Sequence, residues 1–433
     1  MATDASNEER TADDGPPQVV GVSKLGRNAG FMLGADLSFA LGRMLTFFLL
    51  GISLGPGELG RYIAVLGLTQ LIFPASRFGI AHVMVRGVSR GETFGPQWSK
   101  VVTVNVLGGL VGSAISVLLS QILFDVSPVT ALLIGLAQLI GLGLQQAGGM
   151  AAAAHGRAEI GLAINGINTL FRVVAILIFY YIVSEQTVDV WARFLAVTML
   201  AGSVTTLVVV GRTLHARLRF EWPSGGDFRL GAGFVFVDSA NTAQADIDKV
   251  VLGGFGLNED TGVYGAAYRV ADLANLPLGA LVRASYAEFF RRGSSTVAEA
   301  VRYARKLTTV SVAYGLCVGI GLWIAAPLLE TIMGSEFNDS VSALRWIAFV
   351  PAIRATQFFP ANVLTGVDRQ WIRARLMAAT AILNLVVNLV LIPEFGWRGA
   401  AVSTLIAEAV FSAALWAAVN RALRDEVATN HIT

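Results

Sequence analysis

Charged residues inside long apolar segments are the residues of this sequence best suited to chemistry. A charge is costly in hydrocarbon, so it usually faces a water-filled cavity or pairs with another group. Guanidinium is permanently ionised and binds phosphate oxygens through two parallel hydrogen bonds. Deep arginines therefore predict a cationic interior that suits a phosphate or pyrophosphate group. Five of them lie deep in apolar segments: Arg43, Arg172, Arg269, Arg345 and Arg354.

Not all five arginines are expected to reach one cavity. Arg345 and Arg354 are nine positions apart, so an ideal helix points them in opposite directions. Only a kink at Pro351 would bring both to the same cavity. The alternative is structural: each arginine pairs with a buried carboxylate, as Arg269 could with Asp272. The predicted substrate-binding residues are Arg43, Arg172, Arg269 and Arg354.

The segment 229–256 carries a polar stripe. At 100° per residue its polar side chains fit an arc of about 160°; they are Asp238, Asn241, Thr242, Asp246, Asp248 and Lys249. Such a stripe on a membrane helix should line water, a substrate path or another polar helix. The alternative is internal ion pairing, such as Asp246 with Lys249 at i,i+3. We expect four residues to bind a coupling ion or to gate the transport path. They are Asp246, Asp248 and Lys249, together with Asp36 in the first apolar segment.

Sequence signatures of soluble enzymes are absent. The chain has no GxxxxGK[ST] loop to hold nucleotide phosphates and no HExxH metal motif, and its four histidines are isolated. We therefore predict that it is not an enzyme and uses no cofactor and no metal. A net charge of +2 is too small for the electrostatic footprint of a nucleic-acid-binding protein.

The composition indicates an integral membrane protein. Of the 433 residues, 54% are hydrophobic and only 14% are charged, whereas about a quarter are charged in a soluble domain. Crossing about 30 Å of hydrocarbon takes about 20 mainly apolar residues. The sequence contains twelve such segments, numbered here as spans 1 to 12. Their predicted bounds are 28–52, 60–85, 100–124, 129–154, 160–183, 191–211, 229–256, 262–289, 304–331, 341–365, 371–392 and 397–420.

Short loops between the spans leave no room for a soluble domain. The predicted fold is an all-α membrane protein with two lobes of six helices. Its predicted parts are a flexible cytoplasmic tail (1–27), an N-terminal lobe (28–212), a cytoplasmic linker (213–228), a C-terminal lobe (229–421) and a second cytoplasmic tail (422–433).

Basic residues set the predicted orientation. Cytoplasmic loops of membrane proteins carry an excess of Lys and Arg. Of the 32 basic residues, 21 fall on one set of loops and 3 on the other. We therefore expect both termini in the cytoplasm and a multi-pass protein of the plasma or inner membrane.

The two halves of the sequence contain a repeat. Segments 44–67 and 246–269 align without a gap, with identities at Leu50/Leu252, Gly51/Gly253, Gly60/Gly262, Tyr62/Tyr264 and Ala64/Ala266. The repeated element is a span that ends in a Gly-rich loop followed by GxYxA. It opens spans 1 and 7, which start on the same side of the membrane. The halves are therefore predicted to be parallel repeats, an arrangement that places substrate between them.

Four stretches of the sequence carry recognisable motifs: DIDKVVLGGFG (246–256), GVYGAAYR (262–269), LTGVDR (364–369) and NLVVNLVLIPEFGWRGA (384–400). They resemble the O-antigen-type polysaccharide flippases of the multidrug/oligosaccharidyl-lipid/polysaccharide (MOP) exporter superfamily. The first two resemble that family's spans 7 and 8, and the last two are similar to its spans 11 and 12. The twelve-span plan extends the resemblance over nearly the whole chain. These motifs mark the superfamily well and the substrate poorly.

The resemblance implies a secondary transporter. It would flip a polyprenyl-(pyro)phosphate-linked oligosaccharide from the inner to the outer leaflet by alternating access, for surface polysaccharide or lipopolysaccharide assembly. We expect coupling to H⁺ or Na⁺, and a monomer that associates with glycan-assembly proteins. Two alternatives remain open. A drug/cation antiporter has the same fold, although an arginine-rich cavity would repel its cations. A membrane glycan polymerase usually carries a sizeable outer loop, and the predicted outer loops here are short.

Overall fold

The computed structural model describes the backbone of residues 22–430 and the side chains of residues 39–428. The fold below is that of the compact unit that begins at Phe39. Residues 1–21 of the predicted N-terminal tail, and the side chain of Asp36, lie outside the described residues.

The described residues are almost entirely helical and contain no strand. Their α-helices are α1 (Val22–Arg77), α2 (Ile80–Ser89), α3 (Phe94–Leu123), α4 (Pro128–Gly135), α5 (Gly143–Ala154), α6 (Ala158–Ile182), α7 (Val188–Thr213), α8 (Gly225–Gly254), α9 (Asn258–Leu273), α10 (Asn275–Gly293), α11 (Val297–Ala325), α12 (Pro327–Met333), α13 (Asn338–Ile347), α14 (Val350–Gly366), α15 (Gln370–Phe395) and α16 (Trp397–Asn430). A π-helical turn, Leu136–Leu142, joins α4 to α5, and a 3₁₀ turn, Ser335–Phe337, joins α12 to α13.

All twelve predicted spans lie on these helices, which confirms the predicted all-α membrane fold. Spans 1 and 2 are the two parts of α1, and α2 completes span 2. Each of spans 8, 9 and 10 consists of two consecutive helices, because the chain breaks near Ala274, Ala326 and Ala348. The exact bounds of the lobes, linker and tails stay predictions.

Polarity distinguishes three of the spans from the others. In the described chain, eight helical stretches are long and apolar enough to cross a membrane, and the first, Phe39–Arg77, contains both span 1 and span 2. Spans 7, 8 and 10 are not among them, because α8 is rich in charge, α9, α13 and α14 are short, and α10 is polar. These three spans line the cavities described below.

A sharp turn at Gly55 separates spans 1 and 2. Gly55 has φ 70° and ψ 172°, a backbone conformation that only glycine adopts without strain. Pro56 follows at once, where its fixed φ suits the first turn of the next helical segment. The turn places Glu58 and Gly60 near the tip of the pair.

The parallel repeat is visible in matched helix caps. Glu58 Oε2 accepts a hydrogen bond from the backbone N–H of Val188 at 3.2 Å, at the start of α7. Asp260 Oδ2 accepts one from the N–H of Trp397 at 2.9 Å, at the start of α16. Glu58 and Asp260 are separated by the same 202 positions as the two aligned segments. Each half of the chain thus caps its last span with the equivalent carboxylate.

The repeated glycines of the GxYxA motifs lie against the opposite half. A Cβ on Gly60 would lie 1.8 Å from the carbonyl oxygen of Asn258, and a Cβ on Gly262 would lie 2.0 Å from that of Pro56. Both obstacles are backbone atoms, so only glycine permits this approach of α1 and α9. We call this end of the molecule, which carries the Gly55 turn, the outer end, in keeping with the predicted orientation.

The apolar core is continuous at the outer end and divided at the other. One buried cluster joins both halves and includes Tyr62 and Tyr264. Two separate clusters lie toward the opposite end, one around Trp98 and the other around Phe289. Contacts of α8 with α2 still bridge the halves at that end. The described chain is therefore most tightly closed at its outer end.

Candidate substrate cavities

A cavity of about 380 Å³ is lined by three of the four predicted substrate-binding arginines. Arg43 comes from α1, Arg172 from α6 and Arg269 from α9. Asp272 is the only carboxylate among the described residues of its lining. The three arginines thus come from both halves of the chain, and we call this space the arginine cavity.

The positive charge of the arginine cavity is not neutralised by its own acid. Arg172 Nη2 lies 3.2 Å from a methionine sulfur, and the Cζ of Arg269 lies 5.2 Å from the ring centroid of Phe47. Neither guanidinium forms a salt bridge with a described side chain. Asp272 pairs with Arg354 at 3.3 Å, so the Arg269–Asp272 pair of the structural alternative is not formed. This arrangement leaves the guanidinium groups of Arg172 and Arg269 available to an anion.

Amide and aromatic side chains complete the wall of the arginine cavity. Gln70 Nε2 and Gln138 Oε1 lie 3.5 Å apart across it, and Tyr62 and Trp191 line its apolar part. The mixture of fixed charge, amides and rings is typical of a site that orients one ligand among apolar walls.

A second cavity of about 350 Å³ lies within the second half of the chain. Its wall comes from α8, α9, α10, α14, α15 and α16. Carboxamides dominate its polar lining, and we call it the amide cavity. Its polar side chains are Asn241, Gln244, Asp272, Asn275, Arg354, Gln357, Asn362, Arg373 and Glu408.

Arg354, the fourth predicted arginine, lies in the amide cavity. Its Nε donates to Glu408 Oε1 at 2.7 Å, its Nη1 to Asp272 Oδ1 at 3.3 Å and its Nη2 to the hydroxyl of Tyr268. Glu408, which is 3% exposed, also accepts from Gln357 Nε2 at 2.7 Å. The charge of Arg354 is therefore balanced by protein carboxylates, as the structural alternative expects for a buried arginine.

Arg345 lines neither cavity. The chain breaks between α13 and α14 beside Pro351, where the sequence predicts a kink. The break does not bring Arg345 to Arg354's cavity, because the Arg345 guanidinium lies 4.8 Å from the ring centroid of Trp323.

The predicted coupling residues of α8 lie together. Lys249 Nζ is 3.1 Å from Asp248 Oδ1 and 3.5 Å from Asp246 Oδ1, so the i,i+3 pair of the structural alternative is present. Asp248 Oδ2 also accepts from the Tyr264 hydroxyl at 3.0 Å. Asp246 faces a third space of about 120 Å³, which Asp272 also lines. Asp36, the fourth predicted member, is outside the described side chains.

The sequence matches no protein-family model and no curated protein. The fold does match solved transporters. The inward-facing structure of a multidrug resistance MATE family transporter of the MOP superfamily shares 13% identity, covers 92% of this chain and 99% of its own, and gives a TM-score of 0.71. An outward-facing structure of such a transporter shares 14% identity, with coverages of 92% and 94% and a TM-score of 0.62. This chain has the MOP-transporter fold.

A third match bears on pocket charge within the MOP fold. A MOP superfamily transporter from Pyrococcus furiosus shares 13% identity, covers 89% of this chain and 92% of its own, and gives a TM-score of 0.56. It is described as having a binding pocket of reverse polarity, which suggests a different function.

The MOP fold arranges the described helices in two lobes. The amide cavity contains polar residues that were not predicted as site residues from the sequence. Gln244, Gln357 and Asn362 lie in spans 7 and 10 and carry no charge, so a search for buried charges overlooks them. Arg373, at the predicted cytoplasmic end of span 11, is one of the 21 basic residues that set the predicted orientation, yet it lines the amide cavity from the first turn of α15. The available signal was the unusual polarity of these spans.

Proposed function

We propose that this MOP-fold protein is a secondary flippase for a polyprenyl-diphosphate-linked oligosaccharide. The observation that carries the proposal is the arginine cavity, whose described lining holds three guanidiniums and one carboxylate, and that carboxylate is paired with Arg354 of the amide cavity. A diphosphate matches both the sign of this charge and the bidentate geometry of guanidinium. The glycan would serve surface polysaccharide assembly.

The proposed transport cycle is alternating access between the lobes. Closure at the outer end, through the contacts of Gly60 and Gly262, corresponds to a form loaded from the inner leaflet. Separation of these glycines would open the cavity to the other side. The sequence has no phosphate-cradling nucleotide loop, so an H⁺ or Na⁺ gradient would drive the cycle. Asp246, Asp248 and Lys249, with Asp36, would couple the ion to the lobe movement. We further propose that one chain suffices, in contact with glycan-assembly proteins.

A drug/cation antiporter is the second candidate, because the multidrug transporters share the fold. The charge of the arginine cavity opposes it, since fixed positive charge repels a cationic ligand. The structural matches described above are transporters, and they give no support to the glycan polymerase alternative.

Transport by the purified protein in vesicles separates the two candidates. In the first assay the vesicles carry a fluorescent short-chain polyprenyl-diphosphate saccharide in both leaflets, and an external quencher reports its movement between them. In the second assay the uptake of a cationic dye by the vesicles is measured under an imposed H⁺ or Na⁺ gradient. We expect rapid flipping of the lipid and dye uptake no faster than in protein-free vesicles. Gradient-driven dye uptake without lipid flipping would refute the flippase and support the antiporter.

A further inference from the structure

We propose that the amide cavity is a separate binding subsite for an uncharged sugar. The sugar would be the first residue or residues of the lipid-linked glycan. This identification of the carrier rests on the proposed function, whereas the affinity of the cavity for sugar does not. Three observations on the cavity support the assignment.

The first observation is charge balance. The described lining contains two guanidiniums, of Arg354 and Arg373, and two carboxylates, of Asp272 and Glu408. Arg354 bridges both carboxylates, at 3.3 Å to Asp272 and 2.7 Å to Glu408. The lining therefore has no formal net charge, in contrast to the arginine cavity. A polar ligand without net charge fits such a lining better than an anion or a cation does.

The second observation is a set of buried polar atoms without partners. Among the described residues, Asn362 Nδ2, Asn275 Oδ1 and Arg373 Nε are buried and make no hydrogen bond. All three residues line the amide cavity, and Asn362 is only 4% exposed. An unmade hydrogen bond of a buried group costs about 1–3 kcal/mol, so such groups call for an explanation. Two of these atoms donate and one accepts, and a hydroxyl can do either.

The third observation is the apolar part of the wall. Phe358, Phe411 and Met377 line the same space as the amides. A sugar ring presents C–H groups on its faces and hydroxyls around its edge, so it needs apolar contact and hydrogen bonds together. A cavity of about 350 Å³ also falls in the size range of small-ligand sites.

Asp272 connects the two cavities. It lines both of them, and its carboxylate is held by Arg354 of the amide cavity. One headgroup could therefore place its diphosphate among Arg43, Arg172 and Arg269 and its first sugar beside Asn362. The C-terminal half of the chain would then recognise the sugar, while the arginines bind the diphosphate that all polyprenyl-diphosphate-linked glycans share.

Binding of free glycosides tests the subsite without the lipid. The probes are neutral methyl glycosides of hexoses and N-acetylhexosamines, measured on the purified wild type and variants by saturation-transfer NMR. We expect at least one glycoside to bind, and Asn362→Leu to weaken it roughly tenfold, the worth of one or two hydrogen bonds. Arg172→Ala should bind the glycoside normally, because Arg172 is not in the amide cavity.

Asn105→Leu is the matched control. Asn105 is 2% exposed, has an unpartnered side-chain oxygen and lies in α3, outside the amide cavity. Its replacement should leave glycoside binding unchanged. If Asn362→Leu does not fold, Asn275→Ala removes another unpartnered atom of the cavity and carries the same expectation.

Two lipid probes separate this proposal from the proposed function. They are short-chain polyprenyl diphosphates with and without one sugar, and their dissociation constants are measured on the same proteins. Tighter binding of the glycosylated probe that disappears in Asn362→Leu supports the subsite. If no glycoside binds and both lipids bind equally, the sugar-subsite proposal is wrong and the flippase proposal is retained. If glycosides bind and neither lipid does, the subsite stands and the diphosphate substrate is wrong.

Discussion

Individual arginines of this protein differ in whether a carboxylate of the protein neutralises them. Arg354 is held by Asp272 and Glu408. In contrast, Arg172 and Arg269 form no salt bridge with a described side chain. Depth within a span identified Arg43, Arg172, Arg269 and Arg354, and three of them do share a cavity. The carboxylates that hold Arg354 lie 54 and 82 positions away along the chain. Pairing at such separations depends on how helices pack, and no local spacing rule reaches it. The sequence therefore predicts which residues are deep, but not which are neutralised.

The two aspartates of α8 should respond differently to the same change. Asp248 is 1% exposed and accepts from Lys249 and Tyr264, so Asp248→Asn breaks a buried ion pair and should cost about 3 kcal/mol or more. Asp246 faces a small cavity with 28% of its side chain exposed. Asp246→Asn should keep near-normal stability and weaken the response of transport to an H⁺ or Na⁺ gradient. The measurements are melting temperature in detergent and gradient-driven flipping. A normal gradient response of Asp246→Asn would make this residue structural.

The helix contacts at the outer end were only partly predictable from the sequence. The repeat was predicted from the aligned GxYxA motifs. The alignment did not predict that Gly60 and Gly262 each pack against the helix of the other motif, because it shows which residues are equivalent and not which are close in space. The sequence places spans 8, 9 and 10 correctly, and a kink was considered only for span 10, at Pro351. Each of the three breaks lies beside a proline, Pro277, Pro327 or Pro351, so all three had a signal in the sequence, because proline lacks the N–H that continues a helix.

Gly262→Ala should loosen the outer end. Its Cβ would lie 2.0 Å from a backbone oxygen of α1, so the two helices must separate. Spin labels at Gly57 and Glu259, on opposite sides of this contact, should show a larger population at long distance in the variant. Gly254→Ala is the control, because a Cβ there meets nothing within 4 Å. Equal distance distributions in wild type and Gly262→Ala would show that the glycine contact does not hold the end closed.

The start of α8 carries a second contact between the halves. Burial raises the pKa of Asp227, but hydrogen bonds from Lys100 and Ser224 outweigh it and hold this pKa below its usual value. Lys100 Nζ of α3 donates to Asp227 Oδ2 at 2.9 Å, and Asp227 also completes the capping box of α8 with Ser224.

Because the pKa of Asp227 is lowered in the folded state, its stabilisation is present above the unfolded value of about 3.9 and is lost as the pH falls through the folded value. Asp227→Asn should therefore lower stability by about 1 kcal/mol at pH 7. The difference in stability between Asp227→Asn and the wild type should disappear as the pH falls below about 4. Melting temperatures of both proteins across this range provide the test, and a gap that is unchanged at acidic pH would contradict the assignment.

At the scale of the whole molecule, composition and span count predicted the membrane fold, and the structure confirms it. The arrangement closed at the outer end was not predictable, because under the proposed alternating access one sequence must support both arrangements. The polarity of spans 7, 8 and 10 was visible in the sequence. Its meaning needed the structure, which gathers those residues around two cavities.

The predicted orientation is testable by labelling. In a Cys317→Ser background, which removes the exposed native thiol, a membrane-impermeant maleimide applied to intact cells should reach Asn258→Cys at the start of α9. It should not reach Ser294→Cys between α10 and α11, because the distribution of basic residues predicts that this loop is cytoplasmic. Labelling of Ser294→Cys from outside would invert the orientation.

The role of the arginine cavity as a substrate site is tested by the initial rate at which vesicles containing equal amounts of protein flip a fluorescent polyprenyl-diphosphate saccharide. The flipping rate of Arg172→Ala should be at least roughly tenfold lower than that of the wild type, because a charge-assisted bidentate contact with the diphosphate is worth more than about 1.4 kcal/mol. Arg172→Lys should be intermediate, since lysine offers a point charge in place of a planar fork. Arg345→Ala, which removes a deep arginine outside the arginine cavity, should flip at the wild-type rate. Wild-type flipping by Arg172→Ala, or an equal loss in Arg345→Ala, would contradict a substrate site built on the arginine cavity.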